Sequence, residues 1–278
     1  MKGRSLIPEL PEVETVRREL EPWLTGRRIL SAERRDAPEG PKYADLERAS
    51  GQTIKSVDRR GKFLILPLDA GDDLIIHLGM TGIITPQDPE KHVRVRLELS
   101  EGENPVLYFQ DVRRFGRFLV VPRGDYQTLP TLHKMGPEPL SDDFNAEQFR
   151  DALAKSSTPV KTYLLSQKPV SGVGNIYADE ALWGAKIHPE TPASRVAERQ
   201  IPLLVTMIKD VLEASIKVQG TTLQDYRTVN GEVGAYLEQL NAYGQSEEPC
   251  PRCGTPISKI VVGGRGTHFC RKCQKKRS

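Results

Sequence analysis

The stretch Ile7-Pro-Glu-Leu-Pro-Glu-Val-Glu-Thr-Val16 places prolines and glutamates at the start of an amphipathic helix. Pro11 suits the first helical position because it has no backbone N–H to lose there. Glu12 and Glu14 favour the positive end of the helix. Apolar residues follow at helical spacing and predict one buried face, formed by Val13, Val16, Leu20 and Trp23. These residues alone are typical of an N-terminal helix.

Pro8 allows a second interpretation. A proline at the start of a chain is a secondary amine, which can attack an electrophilic carbon and form an iminium. A proline inside a chain is an amide and cannot. Seven residues precede Pro8 in this sequence. A nucleophilic Pro8 therefore requires that residues 1–7 be absent from the active protein, through a start at codon 7 or through cleavage.

The composition is that of a soluble protein large enough for two medium domains. Of 278 residues, 37% are hydrophobic and 28% are charged. No apolar run approaches the roughly 18 residues of a membrane span, and residues 1–7 lack the apolar segment of a signal peptide. Residues 249–278 carry eight basic side chains and no acid, although the whole chain has a net charge of only +3. This basic end predicts a polyanionic partner.

The first half of the chain predicts a β-sandwich or barrel with the first helix packed on it. Short apolar runs alternate with turn signals, and they predict strands over Gln52–Val57, Phe63–Leu68, Leu74–Leu78, Val93–Leu99, Val106–Phe109 and Arg117–Val121. The pattern breaks at Pro130, Gly136 and Pro137, where we expect a linker. Helical periodicity follows and predicts Asn145–Lys155, Thr158–Gln167, Asn175–Trp183 and Arg195–Val218.

Two glycine-rich segments lie in the helical half. Lys168–Gly174 joins two predicted helices, and exposed backbone N–H groups at such a helix start suit a phosphate. Many helix hairpins carry a glycine turn without this function. Gly220–Tyr236 has no firm period, so it is either a loop that covers a site or ordinary surface.

The four cysteines form two pairs, Cys250-x-x-Cys253 and Cys270-x-x-Cys273, separated by sixteen residues. This spacing is typical of a tetrahedral zinc site with four thiolate ligands. The alternative is two disulfides, which are rare in the reducing compartment that the missing signal peptide predicts. The residues between the pairs predict a β-hairpin with Arg265 at its glycine-flanked tip, where it is free to reach a phosphate or is an ordinary loop charge.

Two turns are predicted to expose Met80 and Phe115, the second beside two arginines. Exposed apolar side chains near arginine are what a protein needs to wedge between base pairs, although a single Met or Phe is more often part of a core. Lys62 follows Arg59-Arg60-Gly61 at the start of a strand and is equally compatible with a solvated strand end.

Six motifs occur in order along the chain: PELPEVETV, RRGKFL, HLGMTG, DVRRFG, GVGNIYADE and RGTHFC–RKCQK. Together they resemble the formamidopyrimidine-DNA glycosylase family of bacterial base-excision repair enzymes, from Pro8 to Lys275. The resemblance implies a multi-domain α+β protein. Its parts would be an N-terminal β-sandwich with a flanking helix (8–125), a linker (126–140), a helix–two-turn–helix domain with a lesion-capping loop (141–244) and a four-cysteine zinc-finger β-hairpin (245–278), with DNA crossing the cleft between the two domains.

The resemblance also implies a role for each matching residue. Pro8 would attack the deoxyribose C1′, Glu9 would protonate the sugar ring oxygen, and Glu12 would position the opened sugar. Lys62 would assist base release and elimination. The gap left by the everted nucleotide would be filled by Met80, Arg113 and Phe115. Phosphates would be gripped by His92, Lys161 and Asn175, and the lesion phosphate by Arg265. Zinc would be held by Cys250, Cys253, Cys270 and Cys273.

The function implied by the resemblance is a bifunctional glycosylase and AP lyase. It would remove 8-oxoguanine and formamidopyrimidines from duplex DNA through a Schiff base on Pro8 and then cut the strand by β,δ-elimination. One structural zinc ion, a monomeric state and a nucleoid-associated location in the bacterial cytoplasm are also implied. Two alternatives are an oxidised-pyrimidine glycosylase of the same superfamily and, if Pro8 is not freed, a non-catalytic protein that binds DNA lesions.

Overall fold

The computed structural model describes residues 7–221, 229 and 235–276, which form two compact units. The first unit runs to Leu132 and also includes the described part of Gln219–Ala235. The second comprises His133–Val218 and the described residues from Tyr236 onward. The boundary at Leu132 lies inside the predicted linker 126–140. Residues 219–221, however, belong with the first unit, whereas the sequence placed them in the helical domain.

The first helix, α1, spans Leu10–Leu24 and begins one residue before the predicted start at Pro11. Glu9 caps it through a capping box, in which the Glu9 and Glu12 side chains each accept a backbone N–H of the other residue. The predicted face is buried at Val13, Val16 and Leu20. Trp23 is only half-buried, and its indole N–H donates to the Asn104 carbonyl at 3.0 Å.

Two four-stranded antiparallel sheets form the core of the first unit and confirm the predicted sandwich. The strands are β1 (Ile29–Arg34), β2 (Asp58–Arg60), β3 (Phe63–Pro67), β4 (Asp72–His77), β5 (Gly82–Thr85), β6 (Val93–Leu99), β7 (Val106–Asp111) and β8 (Arg117–Pro122). One sheet has the order β1-β6-β7-β5 and the other has the order β2-β3-β4-β8. Their inward-facing side chains, together with one face of α1, make one apolar cluster. This scaffold fixes the loops after β4 and β7.

The predicted strand Gln52–Val57 is wrong. Thr53 and Ile54 form only isolated bridges, to Arg28 and Leu68. Ile54 and Val57 are buried as the pattern required, but Gln52 directs its side-chain amide to the Arg48 carbonyl and to Asp72. A buried segment that lacks continuous strand pairing shows the same apolar pattern in the sequence as a strand does.

The second unit combines helices with a β-hairpin. Its helices are α3 (Ala146–Ala154), α4 (Val160–Leu165), α5 (Asn175–Gly184) and α6 (Ile201–Lys217), and the short α2 (Pro130–His133) lies at the boundary. The hairpin strands are β9 (Ser258–Val262) and β10 (Arg265–Phe269). Helix α6 begins six residues after the predicted Arg195, with Pro202 in its first turn, where a missing N–H is tolerated. No helix of the described ranges is long and apolar enough to cross a membrane.

The sandwich core predicts a large difference between two phenylalanines that are three residues apart. Phe118 is fully buried, with its ring centroid 5.5 Å from that of Phe109. Phe118→Ala should lower the free energy of unfolding by about 3–5 kcal/mol because it leaves a cavity. Phe115 is 48% exposed, so Phe115→Ala should change the free energy of unfolding by less than about 0.5 kcal/mol. Urea unfolding of both variants checks this, and equal losses would contradict the assignment of the core.

Candidate active site and zinc centre

The start of α1 brings Pro8, Glu9 and Glu12 together. Pro8 is buried, and the two glutamates are each only 2% exposed. The Glu9 backbone N–H donates to Glu12 Oε2 at 2.9 Å. Because the capping box fixes both side chains, two carboxylates are held at defined positions directly behind Pro8.

The second oxygen of Glu12 binds a residue that the sequence did not single out. Glu12 Oε1 accepts the Thr221 backbone N–H at 2.7 Å and the Thr221 hydroxyl at 2.9 Å. Gly220 has φ +87°, and a Cβ there would lie 2.8 Å from Glu12 Oε1. The base of the predicted capping loop is therefore tied to the start of α1. The rest of that loop, apart from Val229, Ala235 and Tyr236, lies outside the described residues. In the sequence, the one signal of this close contact was the glycine at position 220.

Lys62 is half-buried and follows a turn that is tied to α1. Arg59 donates to Glu14 Oε2 at 3.0 Å and to the Gly61 carbonyl at 3.0 Å, and Gly61 has φ +54°. Burial raises the pKa of Glu14, but hydrogen bonds from Arg18 and Arg59 outweigh it, and the net pKa lies below its usual range. An ionised Glu14 thus holds the turn that presents Lys62.

His77 ends β4 beside Lys62 and is held in its neutral form. Burial first, and then the positive charges of Lys62 and Arg117, lower the pKa of His77 to about 4. The Gly79 backbone N–H donates to His77 Nδ1 at 3.2 Å. This hydrogen bond needs an unprotonated Nδ1, so it favours the same neutral imidazole.

Two loops, Leu78–Gly82 and Asp111–Gly116, bring the predicted gap-filling side chains onto one surface; we call them the wedge loops. Phe115 is 48% exposed, Arg113 is exposed, and Met80 is half-buried. The Arg113 guanidinium lies 4.8 Å from the Phe115 ring centroid, a cation–π distance. A Cβ on Gly79 would lie 2.5 Å from the Gly116 nitrogen, so the two loops approach closely only because residue 79 is glycine.

His92 is exposed and adjoins the second wedge loop. Its backbone is left-handed, with φ 61°, and its carbonyl accepts the Asp111 backbone N–H at 3.1 Å. His92 Nδ1 lies 3.4 Å from the Arg94 guanidinium. An exposed imidazole beside a guanidinium is an arrangement that suits a phosphate.

Lys161 does not reach the surface. It is fully buried in α4, and its ammonium lies 2.7 Å from Asp179 Oδ1. The ammonium also donates to the Gly266 carbonyl at 3.2 Å and to the Thr267 hydroxyl at 2.8 Å. This arrangement differs from the expected grip on a phosphate, because a buried ammonium is stable only when it is paired. Lys161 instead anchors the hairpin.

Asn175 and Arg265 lie at the same hairpin. The half-buried Asn175 begins α5 and donates to the Gly266 carbonyl at 3.1 Å. Arg265 is exposed at the tip, directly after Gly263 and Gly264, whose φ values are +56° and +75°. Two consecutive left-handed residues make a tight two-residue hairpin turn. The turn therefore exposes Arg265, while Lys161 of α4 and Asn175 of α5 bind the carbonyl of the next residue, Gly266.

The turn before α5 is built around the side chain of Gln167. Its amide donates to the Val173 carbonyl at 2.7 Å, and its carbonyl oxygen accepts the Gly172 N–H at 2.8 Å. Val170 and Val173 are fully buried. Lys168–Gly174 is therefore a compact turn that ends at the N-terminus of a helix, as a backbone phosphate site requires.

The four cysteines meet at one point and fit a zinc ion. Their sulfur atoms all lie within 4.8 Å of one another, and all four are free thiols. Cys253 Sγ lies 3.5 Å from Cys270 Sγ and from Cys273 Sγ. A tetrahedral zinc with bonds of about 2.3 Å places its sulfur ligands about 3.8 Å apart, whereas a disulfide needs about 2.05 Å. The geometry favours zinc over the disulfide alternative.

The first unit is a β-sandwich with buried carboxylates behind a near-terminal proline. The second unit contains a phosphate-type turn and a hairpin with four thiols. This combination defines the class of zinc-finger DNA glycosylases. Sequence profiles agree along the chain. The formamidopyrimidine-DNA glycosylase N-terminal domain matches residues 7–118, the H2TH domain of these enzymes matches residues 135–227, and a zinc finger found in FPG and IleRS matches residues 247–276.

The chain belongs to the formamidopyrimidine-DNA glycosylase family. It is 48% identical to the formamidopyrimidine-DNA glycosylase of Deinococcus radiodurans, over 98% of this chain and 99% of the relative. The crystal structure of the MutM (Fpg) protein of Thermus thermophilus matches with a TM-score of 0.90 at 43% identity, over 98% of this chain and 100% of that one. The Lactococcus lactis Fpg in complex with abasic-site DNA matches with a TM-score of 0.84 at 41% identity, over 97% and 100%.

Zinc removal should unfold the hairpin, because two of the three buried residues of its small apolar cluster, Cys250 and Cys270 beside Ile257, are zinc ligands. A chelator under reducing conditions should release about one zinc per chain and abolish duplex binding, while the sandwich stays folded by circular dichroism. Trp183 packs on this cluster, so its fluorescence should change on zinc release, and the change should be missing in Trp183→Phe. Undiminished duplex binding by the zinc-free chain would contradict this role.

His77 should make the protein less stable in mild acid. An unfolded histidine protonates near pH 6.5, whereas folded His77 has a pKa of about 4. The unfolded state binds more protons between these values, so the free energy of unfolding should fall as the pH drops from about 6.5 to about 4. His77→Gln should weaken this dependence in urea unfolding measured at several pH values. Identical slopes for the variant and the wild type would show that His77 does not titrate in this way.

Proposed function

We propose that the chain removes oxidised purines from duplex DNA and then cuts the strand, with Pro8 as the nucleophile. The observation that supports this most strongly is the start of α1, where two buried glutamates are fixed directly behind Pro8. The relatives that carry this architecture over their full length are formamidopyrimidine-DNA glycosylases. The chain is accordingly a DNA glycosylase of base-excision repair with AP lyase activity.

The proposed chemistry begins with a neutral Pro8 amine. An α-amino group titrates near pH 8, so a useful fraction is uncharged at neutral pH. The amine attacks C1′ as the bond from C1′ to the base breaks, and the N–H proton that the amine gives up goes to the departing base. Glu9 then donates a proton to the ring oxygen, so the bond from C1′ to that oxygen breaks and a C1′=N iminium forms. The resulting iminium acidifies the C2′ proton. Loss of that proton expels the 3′ phosphate, and a second elimination expels the 5′ phosphate.

Glu12 and Lys62 take supporting roles in this proposal. Glu12 accepts hydrogen bonds from Glu9 and Thr221, so it links the catalytic helix start to the loop that would cover the everted base. Lys62, on its turn fixed by Arg59, would assist base release and the eliminations. Covalent catalysis of this kind divides one difficult step into several easier ones.

The wedge loops would hold the duplex open. A base inside a helix cannot be attacked, and everting it costs about a few kcal/mol. Inserting Met80 and Phe115 into the vacated space offsets this cost. Arg113, stacked against Phe115, would then donate hydrogen bonds to the orphan cytosine.

Phosphate contacts would come from His92, Asn175 and Arg265, with the N–H groups of the Lys168–Gly174 turn. For Lys161 we infer a positioning role, since its buried ammonium holds the Gly266 carbonyl beside Arg265. A zinc ion held by the four thiolates would fix the hairpin that carries Arg265 and would take no part in bond breaking. Action as a monomer, in the bacterial cytoplasm and on the nucleoid, completes the proposal.

The chemistry requires a free amine on Pro8, and two forms of the chain test this. A form beginning Met-Pro8, from which aminopeptidase removes the methionine, should be trapped on DNA by borohydride. A form that retains residues 1–7 should not be trapped, because its Pro8 is an amide. The substrate is a duplex with 8-oxoguanine opposite cytosine, and gel electrophoresis of the covalent adduct is the measurement.

Two controls complete the design. Glu9→Gln in the trimmed form should slow adduct formation without preventing duplex binding, because the proton donor is lost but the fold is kept. A duplex with thymine glycol tests the oxidised-pyrimidine alternative. Equal trapping of both forms would exclude Pro8 as the nucleophile, and a preference for thymine glycol would exclude the purine assignment.

A further inference from the structure

One buried carboxylate connects the two wedge loops. Asp111 is fully buried at the end of β7. Its Oδ1 accepts the Thr81 hydroxyl at 2.5 Å, which reaches across from the other loop. Its Oδ2 accepts the Gly116 backbone N–H at 2.7 Å. The two ends of the second wedge loop are thereby closed on each other, and the first loop is attached to them.

The Thr81 hydroxyl continues this chain of hydrogen bonds. While it donates to Asp111, it accepts the Arg113 backbone N–H at 3.0 Å. The hydroxyl therefore acts both as a donor and as an acceptor. It fixes the backbone of Arg113, the residue that would contact the orphan base. Thr81 also directly follows Met80, so all three gap-filling side chains lie within two residues of this hydrogen-bonded group.

Backbone contacts leave these loops little freedom to shift. Arg94 is buried, and its Nε donates to the Asp111 carbonyl at 2.8 Å. Gly79 approaches Gly116 too closely for any side chain. Arg114, between the two gap-filling residues, has a left-handed φ of 56°, which is unfavourable for arginine and persists only where its surroundings enforce it.

We propose that Thr81 is a positioning residue that, through Asp111, fixes Met80, Arg113 and Phe115 as one rigid wedge. The proposal rests on the proposed function and deepens it. A wedge that is ordered before DNA binds loses less conformational entropy on insertion than a mobile one. Thr81 should therefore affect eversion of a paired lesion, and it should matter little once no base pair has to be opened.

The test compares Thr81→Val, which keeps the shape but removes the hydroxyl, with Thr81→Ser, which keeps the hydroxyl. Single-turnover base release is measured on 8-oxoguanine paired with cytosine, and strand cutting is measured on a duplex with an abasic site. A 2-aminopurine beside the lesion reports eversion by its fluorescence. Thr81→Val should slow eversion and base release about 10-fold, the effect of losing a hydrogen bond to a charged group. Cutting at the abasic site should change by less than about 2-fold, and Thr81→Ser should restore base release.

Thr85→Val is the matched control, because among the described residues the Thr85 hydroxyl bonds only exposed Gln87, donating to its side-chain oxygen and accepting its backbone N–H. It should behave like the wild type in all three measurements. Wild-type rates in Thr81→Val would overturn the proposal while leaving the glycosylase assignment intact. Equal slowing on both duplexes together with a lower melting temperature would assign Thr81 a structural role only and would also overturn it. A wild type inactive on both duplexes would instead refute the proposed function.

Discussion

The hydrogen bonds of the Glu12 carboxylate are the constraint on which the candidate active site depends. Burying a carboxylate is unfavourable unless its oxygens are bonded. Glu12 is only 2% exposed, and it accepts hydrogen bonds from the Glu9 backbone N–H and from the backbone N–H and hydroxyl of Thr221. These bonds fix the start of α1, the position of Pro8 and the base of the loop at Gly220 together. Removing any one donor would leave a buried charge less satisfied, so the three elements are expected to keep one arrangement.

The same device, a buried carboxylate that accepts backbone N–H groups, recurs at three other residues. Asp111 fixes the wedge loops, and Asp179 binds Lys161 and the His268 backbone N–H beneath the hairpin. Glu180 accepts the backbone N–H groups of Asn241, Ala242 and Tyr243. Burial raises the pKa of Glu180, and those three backbone bonds oppose the shift. In each case the acidic side chain is buried and its oxygens are satisfied by bonded donors. At Asp111 and Asp179 it lies beneath residues that we propose to contact DNA.

The sequence predicted those parts of the site that depend on local spacing. The helix start at Pro8–Glu12, the pairs of cysteines and the glycine-flanked Arg265 need only short-range information. It could not predict contacts that join distant positions. Lys161 has the sequence appearance of an exposed cation, yet its partners are Asp179 in the next helix and Thr267, 106 residues away. Thr221 was missed for the same reason, and Gln52–Val57 shows that apolar alternation does not distinguish a strand from a buried loop.

Exposed residues that would meet DNA and buried residues that hold them are therefore separate groups. Arg113, Phe115 and Arg265 are long and exposed, so each keeps rotamer freedom that binding must remove. Hydrogen bonds fix the backbone at or next to these residues, through Asp111 and Thr81 at Gly116 and Arg113, and through Lys161 and Asn175 at Gly266. Two of the residues with left-handed φ values, His92 and Arg114, lie beside and within the second wedge loop. The Asp111 backbone N–H donates to the His92 carbonyl, and the Asp111 carboxylate holds the ends of the loop that contains Arg114. One buried residue therefore supports the backbone at both positions, through its main chain at His92 and through its side chain at the loop of Arg114.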